Sequence, residues 1–278
     1  MFATLTKKQI LNGVIIALLF LVAWFLFTIM PVTYLDWKQT YRLAALNLQN
    51  PYKFSLDPTS TSDTVFSPPW IFVLLYPFAI LPHPIGAGLL MLVSVILLGV
   101  YTKSPKKAVL AAIAAPFPGL VTLGQFDGIL LLGLMIPAGY GIPILLAKPQ
   151  DAFLTILPRL NRKSILFTGA VFVASILIWG TWWNNIIGQT PYYHKNVSLF
   201  PYTIPLGLVI GYFGFKQKKD GLLALASLCM APYFMMHSAL LAVAALIKES
   251  EDWRVWAAVV IGSWAYWLIM LAYFVPEP

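Results

Sequence analysis

Charge is scarce in this chain. Of its 278 residues 10% are Asp, Glu, Lys or Arg, against 60% hydrophobic and 15% aromatic, with a mean hydropathy of +0.80. Soluble domains carry about a quarter charged residues, so a soluble globule is excluded. Disorder, which needs low hydrophobicity, is excluded too. Cys229 is the single cysteine and lies in an apolar run, which rules out an internal disulfide and a cysteine zinc site. Neither G-x-G-x-x-G nor G-x-x-x-x-G-K-[ST] occurs, so no common nucleotide-phosphate loop is expected. H-E-x-x-H, His pairs at i, i+4 and D-x-D are also missing, and no metal or cofactor is expected. No inverted repeat marks a secondary transporter, and no repeated pore loop marks a channel.

What is present is apolar runs. A membrane-spanning helix needs about 20 apolar residues, so the chain reads as a single integral membrane domain, 1–278. The expected fold is all-α, with about 8–10 transmembrane or re-entrant helices. Residues 10–30 form a first span, too long for a signal-peptide core. A polar segment, 31–65, follows as a first external loop. Within it Trp37, Tyr41, Ala44, Ala45 and Leu48 recur at helical spacing, which predicts an amphipathic helix lying on the membrane surface. Further runs occupy 66–82, 84–101, 108–122, 128–147, 164–182, 201–215, 221–235, 238–247 and 253–275, and 183–200 forms a second external loop. Several runs are short and 21 prolines interrupt them, the pattern of broken helices around a polar cavity.

The net charge of +8 reports topology. Clusters at Lys7–Lys8, Lys103–Lys107, Lys148–Lys163, Lys216–Lys219 and Lys248–Arg254 are read as cytoplasmic, and Lys38, Arg42, Lys53 and Lys195 as external. This gives a multi-pass plasma-membrane protein with a cytoplasmic N-terminus and no nucleic-acid partner. The parity is open. Either 66–82 is re-entrant, or the 102–107 loop breaks the charge rule.

Most acids, including Asp151, Asp220, Glu249, Glu251 and Asp252, sit beside basic clusters and read as solvated pairs. Asp36 and Asp127 differ because each adjoins an apolar run, where an ionisable group is a functional candidate. Each also has an ordinary alternative, capping the helix that follows. His237, between two short apolar segments, is a second candidate or a packing residue. His194 lies in the second external loop, and His83 sits between two prolines.

The order of motifs is Leu35-Asp36-Trp37-Lys38-Gln39-Thr40-Tyr41, Asn50-Pro51-Tyr52, Phe66-Ser67-Pro68-Pro69-Trp70, Tyr76-Pro77 and Leu81-Pro82. Gly124-Gln125-Phe126-Asp127, Ala147-Lys148-Pro149-Gln150 and Pro232 to His237 follow. This order resembles the bacterial polyprenyl-phosphate-mannose-dependent α-mannosyltransferases of the GT-C superfamily, over roughly 30–260. Asp127 stands where that family usually has Asn, Phe66-Ser67-Pro68 where it has Tyr-x-Pro, and the chain is shorter than typical members.

The resemblance implies a GT-C-like bundle that moves a sugar from a polyprenyl-phosphate donor to a lipid or glycan acceptor on the outer face. Asp36 would be the general base and His237 its catalytic partner. Arg42, favoured for its fork geometry, and Lys38 and Lys195 would meet the phosphate, with Tyr41, Gln125, Asp127 and His194 as further donor contacts. The alternatives are an inactive GT-C-like subunit bound to a membrane protein partner, or a small lipid or solute transporter.

Overall fold

The structure, a computed structural model, describes residue 34 and residues 36–53, 65–137, 139–187 and 196–274. These residues are all-helical, with no strand among them. A π-helical turn, Trp37–Tyr41, runs into α1 (Arg42–Leu46). Then come α2 (Trp70–Ala79), α3 (His83–Thr102), α4 (Pro105–Ile113), α5 (Pro116–Leu123), α6 (Asp127–Met135) and α7 (Ile142–Leu145). The rest are α8 (Pro149–Ile156), α9 (Arg162–Trp179), α10 (Ile204–Gln217), α11 (Asp220–Met230), α12 (Leu240–Glu249) and α13 (Trp253–Phe274).

Proline sets many of these boundaries. α4, α5 and α8 begin on Pro, where the missing N–H costs nothing. Ala114, the residue after α4, is extended (φ −70°, ψ 148°), and α4 and α5 meet there at a 71° bend. The Ala115 N–H freed there donates to Ser263 Oγ on α13 at 3.1 Å, so a neighbouring helix satisfies the broken backbone.

Among the described residues three helices are long and apolar enough to cross a membrane: α3, α9 and the stretch Trp253–Ala272 of α13. The bent pair α4–α5 makes a fourth if it is one span. The expected total of about eight to ten included re-entrant helices, and Pro and Gly do divide the apolar runs into half-length helices; the 128–147 run, for instance, becomes α6 and α7. The 10–30 span lies outside the described residues. α3 is the central helix, 56% buried, whereas α9 and Trp253–Ala272 are only 11% and 17% buried and turn apolar side chains outward on most sides. At ten residues α2 is about 15 Å long, half the hydrocarbon thickness. By length α2 alone is too short to cross and α3 is long enough, which agrees with the re-entrant alternative for 66–82.

The amphipathic helix after residue 36 is present but shorter than expected, and its apolar face is not laid on lipid. Trp37, Ala44 and Ala45 are buried, and α1 packs on α2.

Members of four of the basic clusters, Lys148 excepted, gather at one end of the bundle. Arg159 grips the Asp220 carboxylate with two hydrogen bonds of 2.8 and 2.6 Å. Glu249 accepts from the Asp220 and Gly221 amides at 2.8 and 3.2 Å. Lys107 Nζ donates to the Lys248 carbonyl at 2.9 Å and pairs with Glu251 at 2.6 Å. From this end α8, α11 and α12, of 8, 11 and 10 residues, each rise only about 12–16 Å before meeting the cavity described below.

α11 and α12 touch through Gly221, where an added Cβ would lie 2.6 Å from the Leu246 backbone N and 2.9 Å from the Ala245 carbonyl carbon. Backbone cannot step aside as a side chain can. Gly221→Ala is therefore expected to cost about 1–3 kcal/mol, seen as a lowered melting temperature in detergent micelles.

Candidate active site

Gly124 fixes the site. It ends α5 in the left-handed region (φ +70°), and a Cβ there would fall 2.7 Å from Trp37 Cβ and 3.1 Å from Tyr34 Cβ. The chain entering the first helical turn lies directly on this cap, tied by the Tyr34 N–H to the Thr122 carbonyl at 2.7 Å. Asp36 and Gln125 are thereby brought face to face.

Gln125 Nε2 donates to Asp36 Oδ2. Lys148 Nζ donates to Gln125 Oε1 at 2.9 Å and to both Asp127 oxygens at 3.0 and 2.8 Å. Lysine has only donors, so the Gln125 oxygen must face Lys148 and its NH2 must face Asp36. On the far side His237 Nδ1 lies 3.1 Å from Asp127 Oδ2, and His237 Nε2 lies 3.3 Å from Met235 Sδ. The ammonium also sits 4.8 Å from the centre of the Phe126 ring. Asp36, Gln125, Lys148, Asp127 and His237 thus form one buried polar chain, none more than 5% exposed.

A cavity of about 220 Å³ opens onto this chain, lined by Asp36, Tyr41, Gln125, Lys148, Gln150, Tyr233 and His237, among others. Asp127 stands behind it, holding Lys148 and His237. The N-termini of α6 and α8 start at Asp127 and next to Lys148, so their positive dipole ends face the same region.

Burial alone would raise the Asp127 pKa, but Lys148 and then His237 outweigh it and hold the carboxyl far below the usual range. Asp151, on the first turn of α8, behaves oppositely. Burial foremost, and the Asp127 charge next, push its pKa well up, with Asp127 and Ser238 beside its side chain. The two acids are thus pushed in opposite directions. Asp151→Asn is expected to change stability by less than about 1 kcal/mol, whereas Asp127→Asn strips Lys148 of its counter-charge at a cost of about 3–5 kcal/mol. Thermal melting of the two variants side by side checks this.

Of the residues singled out from sequence, Asp36, Tyr41, Gln125, Asp127 and His237 come together. Asp36 makes no capping hydrogen bond; its carboxylate is turned to Gln125 instead. Asp127 does open α6, but its oxygens serve Lys148. Arg42 and Lys38 are not part of the site. Arg42 Nη2 donates to the Leu81 carbonyl at 3.3 Å, and Lys38 is exposed. Arg42 is not among the residues lining the cavity, while Thr40, on the π-helical turn, is. His194 and Lys195 lie outside the described residues.

Lys148 and Asp151 were not expected here. The charge rule assigns Lys148 to a cytoplasmic cluster and Asp151 to a solvated pair, yet both are buried. Their signal was isolation. Lys148 closes a 20-residue apolar run and is eleven residues from Arg159, the nearest other cation. No family model, no curated protein and no solved structure matches this chain.

Proposed function

We propose that the chain is a membrane glycosyltransferase that moves one sugar from a polyprenyl-phosphate donor to a hydroxyl acceptor, with Asp36 as general base. The observation that carries this reading is the Asp36 carboxylate, oriented by Gln125 and facing the same small cavity as Lys148 and His237. The acceptor O–H gives its proton to Asp36 as its oxygen attacks the anomeric carbon. The bond from that carbon to the phosphate oxygen breaks, and its electron pair stays on the departing polyprenyl phosphate. The leaving group needs no proton but does need fixed positive charge. Lys148 and the N-terminus of α8 supply it, with the His237 ring beside them, in place of the Arg42 favoured from sequence. A cavity of about 220 Å³ suits one sugar ring, not an oligosaccharide. The resemblance of the motif order to the GT-C mannosyltransferases supports mannose as the sugar, and the positive-inside rule applied to the basic end supports an outward-facing site.

One observation favours a second reading. Half-length helices that meet part-way through the bundle around ionisable groups are also how transporters are built. A proteoliposome assay with donor labelled in its sugar separates the two. Transfer yields free polyprenyl phosphate and label on an added acceptor alcohol; transport yields intact donor on the opposite leaflet. Intact donor at the end of the reaction rejects the enzyme.

A further inference from the structure

At the basic end every acid already has a task. Asp220 holds Arg159, Glu249 accepts from the Asp220 and Gly221 amides, Glu251 pairs with Lys107, and Asp252 Oδ1 accepts from the Arg254 N–H at 2.9 Å. Several cations at this end have no ion pair among the described residues, and four of them are both exposed and within four residues of Arg159 or Asp220: Arg162 and Lys163 on the first turn of α9, and Lys216 and Lys218 at the end of α10. They do not stand on a polar surface. Leu157 and Leu160 are 45% and 47% exposed beside them, Leu166 on α9 is 64% exposed and Tyr212 on α10 is 62% exposed.

Uncompensated cations on the rim of an apolar wall match one partner, a lipid with an anionic headgroup and acyl chains. A soluble phosphate would leave the leucines in water, and an acidic protein would leave the walls of α9 and α10 uncovered. We infer that Arg162, Lys163, Lys216 and Lys218 form a binding site for an anionic phospholipid, the phosphate on the cations and the chains along α9 and α10. This site is separate from the cavity and does not depend on the sugar-transfer reading. Each cation near an anionic surface is worth roughly a fivefold change in binding, so the four together give a clear preference.

The test is native mass spectrometry of the whole protein, released from micelles holding equal phosphatidylglycerol and phosphatidylcholine. Wild type is expected to retain phosphatidylglycerol at least about tenfold over phosphatidylcholine, weakening as salt rises. The quadruple variant Arg162→Gln, Lys163→Gln, Lys216→Gln, Lys218→Gln should lose the preference, while Lys38→Gln, at the other end of the chain's polar surface, keeps it. Should the quadruple variant fail to fold, the wild-type preference and its salt dependence still decide. Equal retention of both lipids by wild type, an unchanged preference in a folded quadruple variant, or displacement by millimolar inorganic phosphate would each overturn the assignment.

Discussion

Asp36→Asn is expected to lower the rate of sugar transfer by about 10²–10⁴-fold while leaving the fold intact, the range a positioned general base contributes. Asparagine has almost the same shape, and its side-chain oxygen still accepts from Gln125 Nε2, so the contact that packs the first helical turn on α5 survives. What disappears is the ability to take a proton from the acceptor. On the proposed mechanism the donor phosphate meets Lys148 and His237, not Asp36, so donor affinity should change little. The loss should therefore appear in kcat with KM for the donor nearly constant. A variant that loses donor binding and kcat together would make Asp36 a structural or donor-binding residue instead.

Lys148→Met is expected to be the most damaging single change for stability. One ammonium bridges Gln125 and both oxygens of Asp127. Methionine fills the space but leaves a carboxylate about 1% exposed without its ammonium partner, facing only the His237 ring at 3.1 Å. Removing one partner of a buried pair costs about 3–5 kcal/mol, a large share of any protein's stability. The pH dependence has a definite sign. Without Lys148 the Asp127 pKa rises above its unfolded value of about 3.9. Stability is then lost as pH rises through the new folded value and is regained in acid. Melting curves should thus show the largest gap between variant and wild type at neutral pH and a smaller gap near pH 4. Gln125, released from Lys148, can also rotate its amide, so transfer should fail even where the variant is folded. A melting temperature equal to wild type at neutral pH would contradict the bridging role of Lys148.

Much of the site was legible because ionisable groups stand out in an apolar chain. Asp36, Asp127 and His237 each interrupt or border a hydrophobic run, and that alone marked them. Lys148 was hidden by the same logic that placed the other cations. The positive-inside rule counts lysines in loops and cannot tell one that turns inward to two buried partners. Asp151 was misread for the same reason, since proximity in sequence to Arg159 and Lys148 looks like solvated pairing until α8 carries it inside. Arg42 was favoured for its chemistry, but its guanidinium donates to the Leu81 carbonyl instead. The all-helical class followed from composition, and the number of spans did not. Hydropathy cannot distinguish one span from two half-helices, and Pro137 to Gly141 and Ala114 to Pro116 make that difference here. Gly124 was quoted only as part of a motif; its function as the seat for Tyr34 and Trp37 needs a contact between segments some 90 residues apart.

The configuration of the product tests the central claim most directly. Wild-type protein in proteoliposomes, given a polyprenyl-phosphate sugar and an alcohol acceptor, should release one polyprenyl phosphate per glycoside formed. Nuclear magnetic resonance of that glycoside should show the anomeric centre inverted, as direct attack assisted by Asp36 requires. Unchanged donor, or a glycoside with its configuration retained, would contradict the account.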